Sequence, residues 1–404
     1  MNIFKLSLKN IFNKPLSSTI SLALLILGIG IISLLLQLNT LIKDQMDNNL
    51  KGIDMVVGAK GSPLQLILSS VYHIDSPTGN ISLKEAEEIS KNRMVGSSIK
   101  LLYGDNFKGY RIVGTEKKFI ELYNGKIKKG KNLSKPFEVL VGSKVYSKLK
   151  IDIGDDLISS HSLRETGESH DNQSFKVVGL LEPSNSVIDQ LIITLPQSVW
   201  DVHGNHNLEE EHEHDQDEKH QHDDREITAM LIKFKSPMNI IQFPRQINET
   251  TNLQAAVPSY EISRLFKLFG FGIETLSYLA YLIIVVSGFS LFINLFNSMR
   301  ERKYEMALIR TLGASRLQLS TMIIFESIIL TISGFILGLL FSRFGVMFVS
   351  SLMEESINYN LSSFRILNEE YWLLLLSVII GLLASLIPAV QVYKMNISKI
   401  LADA

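Results

Sequence analysis

The side chains best suited to chemistry crowd into one short stretch. Residues 203–224 read HGNHNLEEEHEHDQDEKHQHDD and hold six of the nine histidines, His203, His206, His212, His214, His220 and His222, among nine carboxylates. Imidazole and carboxylate together suit zinc and other borderline divalent cations. The irregular spacing argues against a single closed tetrahedral site, so the chemistry is that of a low-to-moderate-affinity metal collector or sensor. A solvated acidic loop whose histidines change charge only near about pH 6 has the same composition. In both readings the stretch has almost no apolar side chain with which to build a core, and a disordered loop is expected.

Other patterns carry less. Gly125 to Asn132, GKIKKGKN, departs from a phosphate-binding loop at Asn132, where Ser or Thr is needed, and its flanks offer neither the preceding strand nor the following helix. Val57 to Pro63, VGAKGSP, reads as a tight turn. The sequence shows no nucleophile elbow, Ser-His-Asp set or HExxH helix, and it has no cysteine, which excludes thiolate metal sites and thiol nucleophiles. The chain itself is not read as an enzyme. Glu326 stands inside a long apolar run, where a carboxylate must face other helices or pair with a cation. Arg343, nearer the end of that run, is expected to snorkel. Arg300 to Arg316, RERKYEMALIRTLGASR, opens as a strongly charged helix, with Met306, Ile309, Arg310 and Gly313 along one side and Gly313 as its cap. An ordinary basic loop has the same charge.

These residues are positioned by four long apolar runs, near 16–42, 272–298, 319–349 and 371–393. Roughly 20 apolar residues suffice to cross a bilayer, and four such runs in one chain mark membrane spans. The first is uncharged and lacks the short core and small-residue cleavage site of a signal peptide. Charged residues make up 20% of the chain, and the net charge of -1 points to no nucleic-acid partner. Lys5, Lys9 and Lys14 precede the first run, Arg300, Arg302, Lys303, Arg310 and Arg316 follow the second, and Lys394 and Lys399 follow the fourth. Glu354, Glu355, Glu369 and Glu370 dominate the loop at 350–370. The positive-inside rule then puts both termini and the 299–318 loop in the cytoplasm, with 43–271 and 350–370 outside. Ile3, Phe4, Leu8, Ile11 and Phe12 recur at helical spacing, so 1–15 reads as an interfacial helix that bends at Pro15.

The segment 43–271 is long enough for a folded α+β domain. Strands are expected at Tyr110–Val113, Phe137–Val141, Phe175–Leu180, Leu191–Leu195 and Thr228–Phe234. Helices are expected from the capping box at Ser82 and over Ser143–Lys150, Gln197–Val202 and Ser259–Phe269. The fold class is an α-helical membrane protein with four transmembrane helices and a large α+β extracytoplasmic domain inserted between helices 1 and 2.

Arg302, Glu305, Arg310, Gly313, Ala314 and Ser315 fit an R-x-x-E-x-x-x-x-R-x-x-G-A-S pattern. With Glu326-Ser327 and the closing Ile387-Pro388-Ala389 to Leu401, they resemble the permeases of the MacB/LolCE/FtsX (type VII) ABC transporters. Phe175–Leu180 followed by Asp189, and Lys150–Asp155, resemble parts of the family's MacB-like extracytoplasmic domain, while the histidine insert departs from the family pattern. The resemblance implies a bacterial inner-membrane permease with a coupling helix carrying Arg302, Glu305, Met306, Ile309, Arg310, Gly313 and Ala314, and Glu326 as a packing or coupling residue. It implies ATP-Mg on a separate ABC ATP-binding subunit and no cofactor on this chain, zinc at the histidine loop apart. It further implies a second permease copy, a periplasmic adaptor or substrate protein, and membrane lipid as partners. Movement of the outer domain by mechanotransmission would export or extract a lipoprotein, peptide or small molecule. Zinc or other divalent-metal handling, and FtsX-like signalling to an extracytoplasmic partner, are the alternatives.

Overall fold

The computed structural model describes residue 7 and residues 15–160, 169–204, 225–357 and 366–396. The chain divides into two compact units, Lys43–Lys267 and Met1–Ile42 with Leu268–Ala404. The interfacial helix expected over 1–15 lies almost wholly outside the described residues.

In chain order, α1 (Pro15–Leu50) leads into the first unit, a lobe built on β1 (Met55–Ala59), α2 (Pro63–Ser70), β2 (Ile81–Ser82), α3 (Leu83–Ser90), β3 (Val95–Phe107) and β4 (Tyr110–Thr115). It continues through α4 (Lys117–Leu122), β5 (Ile127–Gly130), β6 (Glu138–Val141), α5 (Ser143–Leu149), β7 (Asp156–Ser160) and β8 (Ser169–Leu181). Next come β9 (Ile192–Thr194), α6 (Pro196–Gly204), β10 (Glu226–Ile227), β11 (Ala229–Phe234), α7 (Asn239–Thr250) and β12 (Leu253–Ala256). Ten strands form one mixed sheet in the order β12-β1-β11-β3-β4-β9-β6-β8-β5, with β7 paired to β3 and β8. The β4–β9 and β6–β8 pairs are parallel. The lobe's first and last strands are neighbours, Val56 opposite Ala256 in an antiparallel pair.

The sheet is covered on both faces, which explains its nearly unbroken apolar strands. Alternation within each strand sends side chains to opposite cores. Met55 and Val57 of β1 join Met230 and Ile232 of β11 on one face, while Val56 joins Ala229 and Leu231 on the other. Val139 and Val141 of β6 pack with Ile112 and Val177, and Leu140 turns the other way. The turn expected over Val57–Pro63 narrows to a bend at Lys60 and Gly61 between the end of β1 and a helix, because Pro63 suits a first helical turn and Ser62 Oγ accepts from Gln65 N at 3.4 Å.

The second unit consists of the bundle ends of α1 and α8 (Pro258–Glu301), a short α9 (Lys303–Thr311), α10 (Arg316–Ile357) and α11 (Asn368–Tyr393). All four long helices are apolar and long enough to cross a membrane. At 36 and 44 residues, α1 and α8 are longer than any bilayer core requires. Small residues bring the helices together, as is usual where lipid removes the hydrophobic drive. A Cβ on Gly30 would lie 2.7 Å from Phe341 and 3.2 Å from the Gly338 carbonyl; one on Gly381 would lie 2.6 Å from Thr331.

Candidate functional site

The short helix α9 is built by its ends. Arg302 stands at its N-cap, and its Nε lies 3.1 Å from Glu305 Oε2. At the other end Gly313 has φ of 100°, its N–H donates to Arg310 O at 3.0 Å, and Ala314 N–H donates to Ile309 O at 3.2 Å. That pair of bonds is a Schellman closure, which needs a left-handed residue at Gly313. Ser315 then caps α10: Gln318 N donates to Ser315 Oγ at 3.2 Å and Ser315 N donates to Gln318 Oε1 at 2.9 Å. Gly313-Ala314-Ser315 is thus a complete stop-and-start signal between two helices. Gly313→Val should force a β-branched residue into a left-handed backbone and lower stability by about 1–3 kcal/mol, read as a drop in Tm of the detergent-solubilised chain.

The two sides of α9 differ. Met306 and Ala307 are buried, Met306 in a cluster with Leu295, Met299, Leu319, Met322 and Ile323, and Ile309 packs against the same cluster. Arg310 Nη1 donates to Met395 O at 3.4 Å, tying α9 to the residues after α11. Met306, Ile309 and Arg310 therefore hold the helix onto the bundle. Tyr304, Leu308 and Leu312 lie at i, i+4 and i+8 on the other side and are 48%, 42% and 87% exposed. This free apolar stripe, flanked by exposed Lys303 and Glu305, was not singled out from the sequence, where both sides of the helix carry apolar residues.

Inside the bundle, Glu326 is 6% exposed, and its neighbour Ser327 donates to Gly381 O at 2.6 Å. Arg343 does not snorkel. Its Nη1 and Nη2 lie 2.9 and 2.7 Å from the two carboxylate oxygens of Glu370, with side chains 10% and 1% exposed. Ser33 Oγ lies 2.6 Å from Glu370 Oε1 and 2.9 Å from Ser342 Oγ, and Leu367 N donates to Glu370 Oε2 at 3.0 Å. Glu370, read from the sequence as a loop acid, instead joins α1, α10 and α11 through one buried, bidentate ion pair.

Residues 18–250 match the MacB-like periplasmic core domain family, and residues 277–397 match the FtsX-like permease C-terminal family. The chain belongs to the MacB/FtsX-type ABC permeases. In such transporters the permease works with an ATPase carried on a separate subunit. No curated protein sequence matches this permease significantly. Among solved structures, the periplasmic region of MacB from Actinobacillus actinomycetemcomitans is 11% identical, with a TM-score of 0.34 over 54% of this chain and 95% of that one. The extracellular domain of the noncanonic ABC-type transporter YknZ from Gram-positive bacteria is 10% identical, with a TM-score of 0.32 over 50% and 98%.

In the permease's lobe, His203 falls in α6, while His206, His212, His214, His220 and His222 lie outside the described residues. Among the described residues no three His, Asp or Glu side chains converge on a metal-sized site. Gly125 to Asn132 contains β5, the strand at the end of the sheet. A cluster the sequence did not reveal surrounds His73. Its Nδ1 lies 3.0 Å from Tyr103 OH, its Nε2 is enclosed, and Tyr103 and Phe119 meet its ring edge-on. Tyr103 OH donates to Ser69 O, and the Arg111 guanidinium sits 4.6 Å from the Tyr103 ring centre. Burial, and then Arg111, push the His73 pKa down to about 3. Elsewhere in the lobe, Glu138 is pushed down to about 2 by the Lys131 ammonium, the Ser134 hydroxyl and the N–H groups of Ser134 and Lys135, which outweigh its partial burial.

These two groups set an acid limit on the lobe. Below the ordinary histidine value of 6.5 the unfolded chain takes up a proton that folded His73 refuses until about pH 3, so stability falls through that window. Glu138 contributes stability above 4.5 that is lost as pH falls toward 2, on the order of 2–3 kcal/mol. His73→Gln should flatten the stability profile between about pH 6 and pH 4, and Glu138→Gln should flatten it below about pH 4.5. Trp200 lies in the lobe and Trp372 in the bundle, so Trp200 fluorescence in a Trp372→Phe background reports lobe unfolding alone.

Proposed function

We propose that this chain is the membrane subunit of an ATP-driven machine in the inner membrane of a bacterium, with both termini and α9 in the cytoplasm and the lobe outside. The observation that carries this reading is α9: a short, firmly seated helix presenting Tyr304, Leu308 and Leu312 to solvent beside a basic loop. An exposed apolar stripe with a charged rim suits a protein partner, and an ATP-binding subunit is the partner that the family provides. Arg302 and Glu305 border the contact. Met306, Ile309, Arg310, Gly313 and Ala314 act by fixing the helix on the bundle, and Glu326 acts in packing that bundle.

Nucleotide-driven closure of two such subunits would rock the spans of two paired permease copies and move their lobes. The work is mechanotransmission, spent on exporting or extracting a lipoprotein, peptide or small molecule. Purified from its native membrane in mild detergent, the tagged chain should bring an equimolar ATP-binding subunit and vanadate-sensitive ATP hydrolysis. A chain that comes free of any ATPase overturns the reading.

A second reading rests on residues 203–224, whose six histidines and nine carboxylates suit zinc. In it the machine handles a divalent metal, and the loop gathers the ion. Deleting 203–224 should then lower zinc binding by the purified chain and impair growth under metal limitation. Unchanged values in both remove this reading. A signalling role, in which lobe movement activates an outside partner, predicts nucleotide-driven lobe motion with no cargo displaced from reconstituted vesicles.

A further inference from the structure

Two helices connect the lobe to the bundle, and they are built differently. α1 is held at both ends by buried polar groups. In the bundle, Ser33 is fully buried and is bonded to Glu370 and Ser342. In the lobe, Asn49 is fully buried, and its Oδ1 accepts from Val187 N at 2.9 Å. Tyr123 OH donates to Asn49 O at 3.2 Å, Tyr72 OH to Met46 O at 3.5 Å, and Ile53 N to Leu50 O at 3.0 Å. The carbonyls of the last turns, of which those of Asn49 and Leu50 would otherwise be orphaned, thus become its grip on the lobe. Ser33 and Asn49 both belong to α1, with no break in the helix between them. No glycine or proline occurs from Ile31 to Leu50. The earlier glycines of α1 have a packing reason: a Cβ on Gly28 or Gly30 would lie 2.6 or 2.7 Å from a neighbouring side chain.

α8 is the opposite. Its lobe end is held by apolar packing of Ile262, Leu265 and Phe266. Beyond it, Leu268, Phe271, Leu276 and Tyr278 are all at least half exposed. Gly270 and Gly272 fall in this stretch, and a Cβ on either would meet nothing within 4 Å. Neither has a positive φ to accommodate. Two glycines within one helical turn, with neither a steric nor a backbone reason in the described chain, soften a helix where they stand.

We propose that α1 is the stiff connector that carries movement from bundle to lobe, and that α8 is the compliant one, yielding at Gly270 and Gly272. This rests on the mechanical reading above and names which helix performs it. Asn49 is then a positioning residue, acting through its grip on the lobe.

The chain has no cysteine, so Lys126→Cys in the lobe and Lys394→Cys after α11 give two spin-label sites per copy, and assembly with an excess of the cysteine-free chain isolates the pair within one copy. The distance between them is read by double electron–electron resonance in the chain bound to its ATP-binding subunit in nanodiscs, without nucleotide and with ATP plus vanadate. An unsubstituted helix background with no nucleotide-dependent shift removes the mechanical reading and this inference with it. Given a shift, softening α1 with Thr40→Gly and Leu41→Gly should abolish it, while Ile273→Gly with Leu276→Gly in α8 should leave it intact. Asn49→Ala should lose the shift and Asn49→Asp, which keeps the acceptor, should retain it, with vanadate-sensitive ATP hydrolysis persisting in both. Loss of the shift in the α8 variant, or its full retention in Asn49→Ala, overturns the assignment while leaving the mechanical reading in place.

Discussion

Glu370→Ala is expected to be among the most destabilising single substitutions in the bundle. It leaves the Arg343 guanidinium enclosed without its carboxylate, beside the neutral hydroxyls of Ser33 and Ser342, and it removes the acceptor for Leu367 N at the start of α11. Breaking one side of a buried, bidentate ion pair costs about 3–5 kcal/mol, because the remaining charge has no solvent to return to. Replacing both partners together, Arg343→Met with Glu370→Leu, should cost far less, since no charge is then stranded. Thermal unfolding in detergent separates the two cases. A single variant that melts with the unsubstituted chain would mean that water or lipid headgroups reach the site and the pair is worth little.

Leu308→Asp combined with Leu312→Asp should abolish retention of the ATP-binding subunit and leave the bundle folded. Both side chains are exposed, so the substitution removes docking surface without opening a core. Anchors at the centre of an interface cost 2 kcal/mol or more each on truncation, by the usual order of magnitude, and a buried aspartate costs more. Met306→Asp should behave in the opposite way: it places a charge in the cluster with Met299, Leu319 and Met322, and should unfold the helix pair it joins. Co-purification measured beside a melting curve distinguishes loss of partner from loss of fold. Retention of the partner by the Leu308 and Leu312 double variant would mean that docking uses another surface.

The four long helices and the strands at Tyr110–Thr115, Glu138–Val141 and Ala229–Phe234 were legible because unbroken apolar runs are what buried helices and doubly covered strands require. The helix Asn239–Thr250 was missed because Pro244 stands inside it, and proline normally argues for a break. The strand and capped helix at Met55–Ser70 were hidden by Gly58, Gly61 and Pro63, which have the composition of a turn. Arg343 and Glu370 were read apart, as a snorkelling cation and a loop acid, because nothing local shows that 27 residues of chain fold back to bring them together. Around His73 the same limit applies, since Tyr103 and Arg111 reach it across two strands.

In the lobe, β1 and β12 lie side by side, so the chain enters and leaves through adjacent rungs of one ladder. Such a module can be cut out and replaced as a cassette with two splice points a single strand spacing apart, leaving the four-helix bundle untouched. Lineages built on this plan can exchange the lobe wholesale without having to rebuild the helices that pack in the bundle.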